Sequence, residues 1–533
     1  MATSAERRVP GSGAPIWRKL DAPPVPTGPA QSVSLVVIGS GPIGLAVAID
    51  LAQRGHQVVL LGKHASVPAG SKAICFSKRS LDILDRLGVG EASVARGVTW
   101  NVGKVFWKDS REPIYQFDML PVKNQKMPGF INLQQYYLED LLLERVAQLP
   151  TIDFRPGHEV AALDPRHDGA TVTVVHDGKS YKIEADWIVA CDGSRSFVRQ
   201  AMGLDFEGRI FEDNFLIADI RMSDDRAPER WFWFDPPFNP GQSVLMHRQP
   251  DNVWRLDFQL GWGIDRDAAV RPENVDPLVR AMLGPDVDFE EVWYSVYTFQ
   301  CRRMKRFVHD RVIFAGDSAH LVSPFGARGC NGGLADADNL VWKLDLVLKG
   351  QAPLALLESY NEEAITAADA NIQASSRSTD FLTPKSEVSA AFRDAVLELA
   401  EDAPFGGQWV NSGRLSVAIP YPKSALNTPD GDDWGGRGVA PGSVGIDAPL
   451  GDGFLLEQLG GDFVLVCDGP APVVPGVRAI EVPVDAAILR ERYDLSPGSA
   501  YLLRPDQYVA GRWKAPTIDV IRSALARAKG GQP

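Results

Sequence analysis

Two short segments far apart in the chain carry residue types that can act on one ligand. Gly39-Ser40-Gly41-Pro42-Ile43-Gly44 follows the apolar run 34–38, and Gly316-Asp317-Ser318-Ala319-His320 comes far downstream, trailed by Pro324 and Gly329-Cys330-Asn331. In the first, Gly39 makes a tight turn, Gly41 lets the backbone approach a pyrophosphate, and Gly44 lets the next helix lie close to a sheet. The N-terminus of the helix that follows points unpaired amides and a partial positive charge at the phosphates. The Gly329-Cys330-Asn331 turn opens a second helix, near Gly332, and presents amides and a dipole in the same way.

The elements needed to position these segments can be read locally. Residues 34–38 predict a buried parallel strand, 45–54 a helix stopped by Gly55, and 57–61 the next strand. Such a unit ordinarily carries an acid at the end of its second strand to hold a ribose hydroxyl. Here the chain reads Gly62-Lys63-His64. Amphipathic helices follow at 80–87 and 135–146, and a strand over 185–191 runs into Asp192-Gly193. From 214 to 300 the period changes to two, with strands at 243–248 and 254–260 around the turn Pro250-Asp251-Asn252. His247, Arg255, Asp257 and Gln259 are the polar positions there. They wall a substrate, or they lie on the wet face of the sheet. The strand-helix pattern resumes at 311–315, a long helix runs over 332–348, and helices continue to about 400.

Composition narrows the class. The chain has 533 residues, 45% of them hydrophobic and 23% charged, with a net charge of −13. That length exceeds one core, and the charge excludes nucleic acid and anionic membrane as expected partners. No apolar run reaches a membrane span. Residues 1–32 read as a disordered leader rather than a signal peptide. The five cysteines show no C-x-x-C spacing, so no metal site and no disulfide framework are indicated, and a reducing cytoplasm fits.

Gly39-x-Gly41-x-x-Gly44, then Asp192-Gly193-x-x-Ser196-x-Val198-Arg199, then Gly316-Asp317 with the stretch from Pro324 to Asn331 together resemble a known family. It is the single-component (group A) flavin-dependent aromatic hydroxylases, similar to para-hydroxybenzoate hydroxylase. The closer likeness is to 3-(3-hydroxyphenyl)propionate hydroxylase- and phenol hydroxylase-type members with a thioredoxin-like C-terminal domain. The resemblance implies an α/β fold in three parts. These are an FAD-binding Rossmann-like (GR2-type) domain at 33–210 and 300–400, an antiparallel β-sheet substrate domain at 211–299, and a thioredoxin-like α/β domain at 450–533 after a linker at 427–449. It implies bound FAD, with NADH or NADPH as a transient co-substrate. The implied reaction uses dioxygen to hydroxylate a phenolic ring through a flavin C4a-hydroperoxide. Expected partners are a small aromatic substrate and dioxygen, with a homodimer left open.

Carried onto this sequence, the resemblance gives Gly39, Gly41, Pro42, Ile43, Gly44, Lys72, Gln135, Asp192, Gly193, Gly316, Asp317, Pro324, Gly329, Cys330 and Asn331 as cofactor-binding. Lys72 stands where an arginine is more usual. Arg328 adds positive charge near the flavin edge. Pro324, His247 and Asp257 are candidates for the chemistry itself, and His320 has a structural or cofactor-packing position. Trp231-Phe232-Trp233-Phe234-Asp235-Pro236 resembles the W-x-W-x-I-P box of flavin-dependent halogenases, with Asp235 replacing the isoleucine. A halogenase is therefore one alternative reading, and the departures at Gly62 and Lys72 keep a second, a flavin-binding protein without oxygenase activity.

Overall fold

Leu35, Val36, Val37 and Ile38 are all buried, because the strand they end, Gln31–Ile38, is covered on both faces. It runs parallel to Val58–Gly62 on one side and Lys179–Ala190 on the other. The computed structural model describes residues 16–70, 73–120, 122–261, 263–410 and 415–531. Ile152–Pro156 extends the parallel sheet at one edge, and Val312–Phe314 returns from far downstream to lie parallel to Lys179–Ala190. Gly169–His176 and Glu159–Arg166 complete it as an antiparallel meander. The helices Pro42–Gln53, Gln135–Ala147 and Gly329–Leu348 pack together over this sheet, around one apolar core.

Part of the segment read as a leader is ordered. Ile16–Lys19 pairs antiparallel with Ser66–Pro68. It is anchored by Trp17, whose ring lies 4.6 Å from Tyr136 and whose Nε1 donates to Asp140, and by Arg18, which pairs with the same carboxylate at 2.7 Å. One tryptophan among prolines and serines leaves no periodic signal in a sequence.

The second sheet has eight strands. In order they are His320–Leu321, Glu290–Met304, Phe206–Arg221, Val253–Gly261, Ser243–Arg248, Arg230–Phe234, Val102–Trp107 and Tyr115–Asp118. It therefore extends beyond 211–299 and recruits two strands from near residue 110, one of them parallel to Arg230–Phe234. In Val253–Gly261, Trp254, Leu256 and Phe258 face the Pro272–Leu283 helix through Val275 and Val279. Arg255, Asp257 and Gln259 point the other way, yet each is less than one-tenth exposed. A period-two pattern here marks two buried faces, one apolar and one mixed.

The C-terminal unit is a four-stranded sheet in the order Val477–Glu481, Phe463–Cys467, Ala500–Leu503, Val509–Trp513, with helices Ala487–Tyr493 and Ile518–Ala528. Residues 415–449 reach it with little regular structure but are packed, burying Tyr421, Leu426, Trp434 and Val439. The unit is locked to the FAD-side helices by a buried polar network. Glu363 accepts from Lys343 Nζ at 2.7 Å and from Arg504 at 2.7 and 2.9 Å, and Trp342 Nε1 donates to Asp506 at 3.0 Å. Among the described residues no helix is long and apolar enough to cross a membrane.

Candidate functional site

The two remote glycine segments meet. Gly39 has φ +111°, and a Cβ there would sit 2.3 Å from the Cys191 carbonyl oxygen, so glycine is required. A Cβ on Gly44 would lie 1.8 Å from the Gly39 carbonyl oxygen, which is what brings the helix down onto the strand. Gly41 is different: nothing in the protein lies within 4 Å of the place its Cβ would take. That open position stands at the start of Pro42–Gln53, where no side chain caps the helix and its first amides remain available. Ile43 then reaches across, with its side-chain carbons about where a Cβ on Gly316 or Gly333 would need to be.

Further ties hold this arrangement. Arg199 donates to the Ser318 carbonyl at 2.8 Å and to the Ser194 carbonyl at 2.8 Å, joining the Asp192-Gly193 turn to the Gly316-Asp317 turn. Gly193, at φ +81°, has open space beside it, and Asp317 is exposed. Asp192, half-buried and with its carboxyl pushed up by burial, accepts from the Val198 amide at 3.0 Å while Oδ1 has no hydrogen-bond partner among the described residues. Asp336 Oδ2 accepts both the Gly316 amide at 2.9 Å and His320 Nε2 at 2.7 Å. Burial opposes charge on His320, but Asp336 and then Asp317 hold its imidazolium above histidine's ordinary value. His320 is thus part of the brace behind the turn.

Gly329–Leu348 has Arg328 at its N-cap with no side-chain capping bond, and only Val322 would lie within 4 Å of a Cβ at Gly329. Helix and turn begin at Gly329, three residues earlier than the sequence suggests. The Asn331 side chain is fully spent within the protein. Its Oδ1 accepts from the Ser77 amide at 2.9 Å, and its Nδ2 donates to the Cys75 and Ala327 carbonyls. Only its backbone can face a ligand. Cys330 is half-exposed beside it, its thiol pushed up by burial. The Pro324 carbonyl accepts the Ala327 amide at 3.0 Å, closing a turn in which Ala327 takes φ +52°. Gln135 opens its helix, accepts from the Ala73 amide at 3.2 Å and donates to Glu139 at 2.8 Å. Lys72 lies outside the described residues. Ser40 Oγ would be 2.4 Å from a Cβ at Gly62, so the missing acid is coupled to the serine in the first motif.

These residues fit a dinucleotide: two uncapped helix starts, open glycine positions at 41, 193 and 329, and an exposed carboxylate between them. The model of the FAD binding domain family matches residues 32–375. The chain belongs to that family. Among curated proteins it is 27% identical over 539 residues to the 3-(3-hydroxy-phenyl)propionate/3-hydroxycinnamic acid hydroxylase of Klebsiella pneumoniae, covering 93% of this chain and 94% of the relative. It is 28% identical over 512 residues to a probable NADH-specific resorcinol 4-hydroxylase of Rhodococcus jostii, covering 90% and 92%. Among solved structures, the flavin-dependent monooxygenase PieE in complex with FAD and substrate superposes with a TM-score of 0.80 at 21% identity, covering 95% of this chain and all of that one.

In this FAD-binding protein the mixed face of the second sheet borders the same place. Cys75, whose carbonyl is bonded by Asn331, accepts at Sγ from Arg230 Nη1 at 3.1 Å. Phe325, next to Pro324, packs edge-on against Phe215 at 4.7 Å on that face. Between them Arg230, His247, Arg255 and Asp219 stand directly opposite one another across four strands. Arg255 and Asp219 form an ion pair with two 2.7 Å contacts, and Asp219 also accepts from Gln249 Nε2 at 3.2 Å. Gln259 is structural, its Oε1 accepting the Ser243 amide. Both His247 nitrogens lack a partner among the described residues, and burial holds its pKa well below the ordinary value. Burial raises the Asp257 carboxyl to about 6, against the pull of Arg255 and Arg230. The polar strand residues are therefore buried, not on a wet face.

Arg230, Cys75 and Asp336 were missed as site residues. Arg230 leads the strand whose alternate residues Phe232 and Phe234 are core, and Asp336 is an acid inside an apolar helix. Each breaks a local pattern, and that is the available signal.

Proposed function

We propose that the protein is an FAD-dependent monooxygenase that consumes NADH or NADPH and dioxygen and hydroxylates a phenolic ring. Bound FAD supplies the relay of an electron pair from the nicotinamide to dioxygen. The observation that carries the reading is the polar corner Arg230, His247 and Asp257, set on the mixed sheet face beside its aromatic wall and bordered by Cys75, the Pro324 turn and the start of Gly329–Leu348. Relatives named for hydroxylating hydroxyphenylpropionate and resorcinol, similar over nearly the whole chain, support it.

In this reading Gly39, Gly41 and Gly44 shape the turn over the pyrophosphate, with the amides after Pro42 as donors. Asp317 takes a ribityl or ribose hydroxyl, and the backbone at Gly329, Cys330 and Asn331 presents its dipole to the ring edge. The apolar wall of Phe215, Phe232, Phe234 and Phe325 excludes water from the ring that reacts. Asp257 accepts the phenol proton, which raises electron density on the ring. Trp231 and Trp233 belong to the opposite face of the sheet, against Phe106, so a halogenase-type aromatic box gains no support from them.

The deciding experiment is to purify the protein, identify its flavin, and screen phenols for stimulated NAD(P)H oxidation with a hydroxylated product. Oxidation that yields peroxide alone sinks the reading. Asp257→Asn is expected to lower coupled turnover by roughly 10²- to 10⁴-fold. The wild-type rate should fall as pH drops through about 6, where the carboxylate becomes protonated. Asp336→Asn removes the anion shared by His320 and the Gly316 amide. It is expected to weaken FAD binding about tenfold or more, read by flavin fluorescence on titrating the apoprotein. Unchanged affinity would remove Asp336 from the cofactor's support.

A further inference from the structure

The polar corner has an internal charge balance that selects its ligand. Four ionisable side chains of fixed sign converge there: Arg230 and Arg255, Asp219 and Asp257. Arg255 and Asp219 neutralise each other at 2.7 Å, in two contacts. That leaves Arg230 and Asp257, opposite in sign and near enough to influence each other, but with no ion pair between them. Arg230 gives one N–H to the Cys75 thiol, and its Nε is buried without a partner. The Asp257 carboxyl feels Arg255, Arg230 and Asp219 through charge alone, and neither His247 nitrogen has a partner among the described residues. Arg230 is 5% exposed, His247 1% and Asp257 6%. Groups left this way inside a protein each cost on the order of kcal/mol, more for charges than for neutral groups. Such a cost persists where a ligand satisfies them.

We propose that this corner takes an uncharged phenol, with its hydroxyl set between Asp257 and Arg230, and disfavours aromatic rings that carry a carboxylate. The inference rests on the hydroxylase reading above and narrows its substrate class. A neutral hydroxyl donates to the Asp257 carboxylate and accepts from the Arg230 guanidinium, so both are satisfied and the buried charge still sums to zero. When the proton transfers, the phenol O–H bond breaks and an Asp257 O–H bond forms. The electron pair stays on the phenolate oxygen, facing Arg230, and the sum remains zero. A carboxylate ligand instead brings a second anion to one free cation. It can be held only if Asp257 takes up a proton as it binds, so its affinity should fall as pH rises above about 6. Neutral His247 adds no charge to either case. The other titratable groups facing Asp257 and its neighbours are Tyr297 on Glu290–Met304, the strand beyond that of Asp219, Cys75 against Arg230, and Tyr136 near Asp219, and all three are held in their neutral forms by burial.

The test compares 3-hydroxybenzyl alcohol with 3-hydroxybenzoate, similar in shape and different in charge. Calorimetry on the oxidised, FAD-loaded protein without nicotinamide measures equilibrium binding at pH 7.5. The wild type should bind the alcohol at least about tenfold more tightly, and the benzoate should bind with proton uptake, seen by repeating the titration in buffers of different ionisation enthalpy. Asp257→Asn leaves a net positive corner and should reverse the preference. Arg230→Gln leaves a net negative corner and should widen it. Opposite shifts from the two variants cannot come from a general loss of structure, and either one folding is enough to decide. A wild type that prefers the benzoate without proton uptake overturns the proposal, as does a preference that neither variant moves. Failure of the hydroxylase reading would show separately, as absence of flavin or of any phenol-stimulated NAD(P)H oxidation.

Discussion

Glu363→Gln is expected to destabilise the protein by roughly 3–5 kcal/mol, the cost of breaking a buried ion pair from one side. Lys343 and Arg504 are fully buried, and the Glu363 carboxylate is the anion they share. Burial opposes its charge, yet Arg504 and Lys343 hold the carboxyl far below the ordinary range. Burial already lowers Lys343 to about 8 even with Glu363 beside it. With glutamine there, Asp506 is the one anion left bonded to Arg504, and Lys343 is left with neutral acceptors such as the Asn339 side-chain oxygen at 2.9 Å. Because Arg504 belongs to the C-terminal unit and the other two to the FAD-side helices, the loss falls on the seam between them. The first thermal transition should drop by on the order of 10 °C, and limited proteolysis should cut within residues 415–449 before elsewhere. A variant that melts with the wild type and resists protease equally would show that the seam is held by its apolar contacts alone.

The network also shows where sequence reading stops. Lys343, Glu363 and Arg504 each look like ordinary charged residues on helices or a strand end, and nothing local says that they converge. The first glycine motif was legible because strand, turn and helix are adjacent in sequence and each glycine has a local steric reason. Its meeting with Gly316 was legible only through the order of motifs, since Ile43 bridging Gly316 and Gly333 is a tertiary contact. The eight-stranded sheet was half legible. The hairpin from Ser243–Arg248 to Val253–Gly261 has turn chemistry between its strands, but Val102–Trp107 joins through a parallel pairing with Arg230–Phe234 that no short-range pattern encodes. Arg255 and Asp257 alternate with apolar residues as they would on a wet face. Their burial follows from tertiary neighbours far away in sequence, Asp219 and Trp293 beside Arg255 and Cys75 beside Arg230 among them.

Gly41→Ala is expected to leave the fold intact and to cost FAD affinity on the order of a hundredfold. Its backbone sits at φ −77° and ψ −178°, which any residue adopts, and the added methyl would touch nothing in the protein. Alanine as a helix N-cap costs only about 1 kcal/mol relative to better caps. The same methyl would occupy the space through which a pyrophosphate must approach the uncapped amides. Gly44→Ala is the opposite case, since its Cβ would be driven to 1.8 Å from the Gly39 carbonyl and the strand-helix contact itself must open. The pair separates two reasons for glycine within one motif. Flavin fluorescence on titrating the apoprotein, with far-UV circular dichroism as the fold control, should show Gly41→Ala folded but poor at holding FAD and Gly44→Ala defective in both. If Gly41→Ala bound FAD as tightly as the wild type, the open space beside residue 41 would not be the pyrophosphate site, and the convergence of the two glycine segments would need another ligand to explain it.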